Sequence, residues 1–220
     1  MTPIMPRAQE CLAACPLWPA ATSSTMADMA VLHAWASREV ALGNVIGSDI
    51  EAADLSNSMG PEKGAFTRLH ELLQSLLTPQ MIAVQQKQGL HLSPELLYCR
   101  WAAPHTDNMF DKELFVSLVL GTGPGPYRLE SLVPTIEEHP DGLRSPRLDF
   151  ERCRLELKAG DVFVFDPLVP HYASPENPHE ESLLSLLQVR LPYRTVRERD
   201  GWFRQLASAR STSPKNTLET

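Results

Sequence analysis

The spacing of apolar residues changes character part-way along this chain. Up to about residue 85 it follows a helical period; beyond Gly89 it alternates or runs together as strands do. Met29, Leu32, His33, Trp35, Ala36, Val40 and Ala41 predict a helix from Ala27 to Leu42, where Gly43 and Gly47 break the pattern. Residues 48–62 read as loop, with Met59-Gly60-Pro61 as a turn. Phe66, Leu69, Leu72, Leu73, Leu76 and Leu77 make one stripe of a second amphipathic helix, Ala65–Leu77. Thr78-Pro79 ends it or carries a further turn of helix through Gln85.

The remainder reads as strands and turns. Leu96–Trp101 is the first strand, and Leu114–Leu120, apolar at nearly every position, is one buried on both faces or set in a barrel wall. Gly121–Pro126 is a turn and not a phosphate loop, because no helix follows it and no Lys-Ser/Thr closes it. Tyr127–Val133 is a strand, and residues 134–147, with Glu137, Glu138, His139 and Asp141, a polar loop. Arg152–Leu157 alternates as a half-buried strand, Gly160-Asp161 turns it, and Val162–Phe165 follows. Val169–Ala173 begins another strand, an acidic loop carries Glu176, His179, Glu180 and Glu181, and Leu183–Leu191 is the last long strand. Thr195–Ala207 closes as a helix with Val196, Trp202, Phe203 and Leu206 inward.

Helices first and then about eight short strands between Gly/Pro turns predict a mainly β domain, a sandwich or jelly roll with N-terminal helices packed on it. Residues 1–25, rich in Pro, Ala, Ser and Thr without a period, are expected to be disordered, and Met26 is an alternative start. A single domain is expected over residues 26–207: a helical cover at 26–90, the jelly roll at 95–191 and the closing helix at 195–207, with a disordered tail at 208–220.

Composition narrows the function classes. At 220 residues, 43% hydrophobic and 21% charged, the chain reads as one ordinary water-soluble domain. A net charge of -7 argues against nucleic acid as the main partner, since phosphate binding needs a basic surface. Of Cys11, Cys15, Cys99 and Cys153 only the first two are close, and no second pair completes a zinc pattern. Free thiols point to the reducing cytoplasm. No apolar run reaches the roughly 18 residues of a membrane span. Pro3, Pro6, Pro16 and Pro19 interrupt any signal-like core.

The chemistry centres on Tyr98-Cys99-Arg100-Trp101-Ala102-Ala103-Pro104-His105-Thr106-Asp107-Asn108. On an extended segment residues i and i+2 share a face, so His105 and Asp107 can aim an imidazole and a carboxylate at one point. His171, behind an apolar strand and Pro170, can supply the second imidazole of a 2-His-1-carboxylate centre. Asn108 can support Asp107 from behind by a hydrogen bond. His33 and His70 stand alone on helices and His139 and His179 lie in acidic loops, which suits structural or surface roles.

Pro104-His105-Thr106-Asp107, the apolar strand 114–120, the strand 127–133, Ala159–Phe165 and Pro170-His171 occur in an order that resembles the Fe(II)/2-oxoglutarate-dependent dioxygenase superfamily, over residues 95–191. The resemblance implies a distorted double-stranded β-helix with Fe(II) held by His105, Asp107 and His171. It implies 2-oxoglutarate as cosubstrate, O2 as oxidant, and a small-molecule or amino-acid substrate that is usually hydroxylated, less often demethylated, desaturated or cyclised. Members similar to this chain carry an Arg or Lys about ten residues after the distal His to pair with the far carboxylate of 2-oxoglutarate. Here that region reads Glu180-Glu181-Ser182-Leu183. Arg190 is therefore the first candidate anchor, Arg128 the second and Arg100 the third, with Tyr98 on the strand leading into the site. Two alternatives stay open. One is a cupin-like metal protein that does not use 2-oxoglutarate, although Asp107 stands where its second His belongs. The other is a metal-free jelly-roll binding module. The residues name no particular substrate and no oligomeric state.

Overall fold

The computed structural model describes residues 11–16, 18–19, 21–42, 49–50, 60–87, 95–99, 105–106, 112–122, 127–138, 144–175 and 184–207. In chain order these form β1 (Leu12–Ala14), α1 (Ser23–Ala41), β2 (Asp49–Ile50), α2 (Pro61–Gln74), α3 (Pro79–Lys87) and β3 (Glu95–Cys99). There follow β4 (Glu113–Gly121), β5 (Tyr127–Glu138), β6 (Arg144–Leu157), β7 (Val162–Phe165), β8 (His171–Pro175), β9 (Leu184–Pro192) and α4 (Val196–Ala207).

The strands make two antiparallel sheets, one in the order β1-β7-β4-β9-β3-β2 and a smaller one in the order β6-β5-β8. Residue alternation assigns the two faces of the larger sheet. Leu114, Val116, Leu118 and Leu120 of β4, Val162 and Val164 of β7, and Leu187, Val189 and Leu191 of β9 share a core with the helices. There they meet Met29, Leu32 and Trp35 of α1, Leu69 and Leu73 of α2, and Trp202, Phe203 and Leu206 of α4. The alternate residues Phe115, Val119, Phe163, Phe165, Leu184 and Leu186 pack with Leu129 of β5 and Leu157 of β6, so this face looks onto the smaller sheet. Each fully buried Leu, Val or Phe contributes roughly 1.5–3 kcal/mol. Both faces of β4 and β9 are thus committed, which is why β4 is buried at all nine positions.

Local chemistry sets the ends. The Thr22 hydroxyl accepts the Thr25 N–H at 3.2 Å and caps α1. Pro61 opens α2 behind Gly60, four residues earlier than the apolar stripe alone predicts, because Pro at the first helical position needs no donor. Arg68 of α2 clamps Asp28 of α1 through Nε at 2.8 Å and Nη2 at 2.6 Å. Gly160 turns β6 into β7 at φ 91°, a left-handed conformation suited to glycine. Its N–H donates to the Val119 carbonyl at 2.9 Å. Among the described residues no helix is long and apolar enough to cross a membrane.

Two expectations are corrected. Within the stretch 1–25, expected to be disordered, Leu12–Ala14 is a strand at the sheet edge, paired residue for residue with Phe165, Val164 and Phe163. Three residues are too few for a period, and pairing with an already buried β7 supplies the order. The expected polar loop 134–147 is largely the far part of a hairpin: β5 runs on to Glu138 and β6 starts at Arg144, with a register shift between Pro134 and Ile136. A ladder of backbone hydrogen bonds needs no apolar side chains, so charge hides such strands in a sequence. Apart from the two-residue β2, which lies inside the expected loop 48–62, the other strands match within a few residues.

Candidate metal centre

His105 and His171 lie directly opposite each other in an isolated antiparallel bridge. The His105 N–H donates to the His171 carbonyl at 2.9 Å, and the His171 N–H donates back to the His105 carbonyl at 2.9 Å. Residues paired this way carry their side chains on one face. The imidazole centroids are accordingly 4.8 Å apart, with planes inclined at 52°. His171 is 5% exposed, whereas His105 stands at the surface. Far apart in sequence, the two rings are brought together by backbone pairing alone.

The ring of His171 is held from several sides. Its Nδ1 lies 2.8 Å from the Val169 carbonyl. A carbonyl can only accept, so Nδ1 carries a proton, and in the neutral ring that leaves the lone pair on Nε2. That is the tautomer in which histidine ligates a metal while its other nitrogen donates to a backbone carbonyl. The Phe165 ring meets it edge-on at 5.0 Å. The next peptide is tied to the smaller sheet, where the Leu132 N–H donates to the Pro170 carbonyl at 2.7 Å.

The turn before His171 is organised by Asp166, the residue that directly follows β7. Asp166 is 2% exposed. Its Oδ1 accepts the Leu168 N–H at 3.0 Å, and its Oδ2 accepts from Arg199 Nη1 of α4 at 3.0 Å. Burial pushes the Asp166 carboxyl above its ordinary value, while the Leu168 N–H and the Arg199 guanidinium act in the opposite sense.

Away from the histidines, the inner face of the larger sheet becomes polar. Arg190 of β9 is paired in register with Phe115 of β4, and its guanidinium lies over the Phe115 ring at 5.1 Å from the centroid. Phe115 meets Phe165 edge-on at 5.3 Å. One continuous row of rings therefore leads from Arg190 through Phe115 and Phe165 to His171. Two residues further along the same strands, Ser117 faces Gln188. Both side chains are wholly buried, and neither the Ser117 hydroxyl nor either end of the Gln188 amide has a hydrogen-bond partner among the described residues. Ser131, paired with His171 across β5 and β8, is in the same condition. Such groups cost about 1–3 kcal/mol each when buried unmatched, which marks a surface built to meet polar atoms. Ser117 and Gln188 went unnoticed in sequence, although each interrupts an apolar strand in phase with Phe115 and Arg190.

The remaining candidates are placed as follows. Arg128 alternates with Leu129, a member of the inter-sheet core, and so stands on the outer face of the smaller sheet. Glu130 is on that same outer face, where Arg154 Nε donates to Glu130 Oε1 at 2.6 Å. Tyr98 is on β3 opposite Ser185, with its side chain outside the described part. Arg100 and Asp107 lie outside the described residues. His33 reaches from α1 to the sheet, its Nδ1 2.6 Å from the Ser185 hydroxyl, and burial lowers its pKa from the ordinary 6.5. A side chain at Gly121 would meet that ring at 2.6 Å, so glycine makes room for it.

No protein-family model matches the sequence, and no curated protein does either. Solved structures similar to the chain include AviO1 from Streptomyces viridochromogenes, 15% identical over 86% of this chain and 96% of that one, with a TM-score of 0.47. The epimerase SnoN in complex with Fe3+, alpha-ketoglutarate and nogalamycin RO is 16% identical over 97% and 91%, with a TM-score of 0.48. A Pseudomonas putida prolyl-4-hydroxylase is 18% identical over 77% and 83%, with a TM-score of 0.40. With TM-scores below 0.5, these similarities do not bear on what the chain does.

Proposed function

We propose that the chain is an Fe(II)- and 2-oxoglutarate-dependent oxygenase built on a jelly roll, acting on a small molecule or an amino-acid side chain. The observation that carries this reading is the backbone bridge joining His105 to His171, together with the Val169 carbonyl that commits His171 Nδ1 as donor. Two imidazoles on directly paired segments, one buried and one at the surface, fit a metal approached from solvent. Asp107, two residues after His105, completes the 2-His-1-carboxylate set that suits Fe(II).

When bound there, iron supplies the coupling of 2-oxoglutarate decarboxylation by O2 to oxidation of a substrate C–H bond. The chain's own groups have distinct tasks. His171 presents Nε2 because Val169 holds the proton on Nδ1. Arg190 takes the far carboxylate of 2-oxoglutarate in a charge-assisted pair, with its guanidinium plane fixed over Phe115. The Ser117 hydroxyl and the Gln188 amide N–H add neutral donors beside it. Phe115, Phe163 and Phe165 keep water from the enclosed carboxylate, which strengthens those hydrogen bonds. A cupin-like centre would leave Arg190, Ser117 and Gln188 without a task.

The test is anaerobic titration of the protein with Fe(II) and 2-oxoglutarate, watched for a visible charge-transfer band, followed by a succinate-release assay. The band and succinate are expected in the parent protein, and neither in His171→Ala. A metal-loaded protein that gives no band and no succinate contradicts the proposal. Metal binding without any response to 2-oxoglutarate would favour the cupin-like reading.

A further inference from the structure

Through Asp166 the turn that carries His171 is closed on itself and tied to two other parts of the molecule, the segment before β1 and α4. Its N–H donates to the Cys11 carbonyl beside β1 at 2.9 Å. Its carbonyl accepts the Val169 N–H at 3.1 Å, and its Oδ1 accepts the Leu168 N–H at 3.0 Å. Its Oδ2 takes Arg199 Nη1 from α4 at 3.0 Å. Both backbone polar groups of Val169 are thereby engaged, its N–H on the Asp166 carbonyl and its C=O on His171 Nδ1. Arg199 is itself aimed: Nε and Nη2 both bind Asp200 Oδ1, at 2.9 and 2.7 Å, which turns Nη1 toward Asp166.

This pair is enclosed, with Asp166 2% and Arg199 7% exposed. A buried ion pair is weak evidence for stability, because desolvation of the two charges offsets their attraction and an apolar pair of similar volume often serves as well. Its location suggests another use. We infer that Asp166 and Arg199 are positioning residues, through which α4 holds the Val169 carbonyl against His171 and so sets how tightly the proposed centre takes its metal. The inference rests on the metal reading above and adds residues that reading does not require. A hydrogen-bonding partner behind a metal-bound histidine typically changes affinity about tenfold to a hundredfold.

The test compares the parent protein, His171→Ala, Asp166→Asn, and the double variant Asp166→Asn with Arg199→Met. Each is titrated calorimetrically with Co(II), its Co(II) visible spectrum is recorded, and its thermal unfolding is followed without metal. In Asp166→Asn the new amide oxygen still accepts the Leu168 N–H, but the charge that paired with the guanidinium is gone. Asp166→Asn is expected to weaken Co(II) binding about tenfold to a hundredfold and to shift the Co(II) bands. The double variant is expected to unfold near the parent's temperature, since both members of the buried Asp166–Arg199 pair lose their charge together, while its Co(II) affinity stays low. If Asp166→Asn fails to fold, the double variant decides the matter. A folded variant of either kind with parental affinity and spectrum overturns the inference. Parental protein that binds no Co(II), or binds it equally well as His171→Ala, overturns the metal reading and this inference together.

Discussion

The two faces of β4 and β9 are made from alternate residues of the same strands, yet they differ in almost everything else. Toward the helices β4 presents Leu114, Val116, Leu118 and Leu120, and β9 follows with Leu187, Val189 and Leu191. Toward the smaller sheet the same strands place Arg190 over Phe115 and Ser117 opposite Gln188, beside the ring row that ends at His171. One face gains stability from apolar burial; the other gives some of it up by enclosing polar atoms that no described residue matches. A period of two residues lets one strand do both, because neighbouring positions never compete for the same surface.

That contrast can be broken from either side. The largest stability effect belongs to the helix face: Leu118→Ala should cost about 2–5 kcal/mol in chemical denaturation, through lost burial and the cavity left behind. Its folded fraction should keep parental Fe(II) affinity. On the inner face, Arg190→Met should weaken 2-oxoglutarate binding about tenfold to a hundredfold, as expected for a hydrogen-bonded charge. Isothermal titration at fixed Fe(II) reads this directly. Gln188→Leu should have opposite effects on stability and on binding. Removing two buried unmatched polar atoms should raise stability by about 1–3 kcal/mol, and 2-oxoglutarate binding should weaken severalfold.

The smallest effect is one of pH and concerns the helix face. Burial lowers the pKa of His33 and of His70 below the ordinary 6.5. Above pH 6.5 both rings are neutral folded and unfolded, and their contribution to stability is fully present. Below it the unfolded chain takes up protons that the fold resists, so stability falls as the pH falls. Thermal melts between pH 7.5 and about 5 should show this decline, and it should be shallower in His33→Gln. An unchanged slope in that variant would mean that His33 is not held neutral against Ser185.

Much of this division was legible in the sequence. The helical stripe around Leu69 and Leu73, the continuous apolar run at β4 and the strand at Val162–Phe165 all emerged from spacing alone. So did His105 and His171 as a pair, although their approach depends on a bridge that no local pattern announces. What stayed hidden had physical reasons. The edge strand Leu12–Ala14 is too short for a period. The far hairpin of β5 and β6 is charged, and its backbone bonds leave no trace in hydropathy. Asp166 and Arg199 are far apart in sequence and meet only because α4 folds back onto the β7–β8 turn. Ser117 and Gln188 show merely as polar breaks in apolar strands, and their pairing requires the β4–β9 register.

The central claim is that the inner face holds a metal and a dicarboxylate next to each other. Two ligands in contact change each other's affinity by equal factors, and a cation beside a dicarboxylate makes that change a tightening. The decisive measurement is therefore anaerobic calorimetry of 2-oxoglutarate binding with Fe(II) present and with Fe(II) removed by chelation, paired with Fe(II) binding at zero and saturating 2-oxoglutarate. The account predicts that each ligand tightens the other by the same factor, and that this coupling disappears in His171→Ala. Equal 2-oxoglutarate affinity with and without Fe(II), or no binding of either, would contradict it.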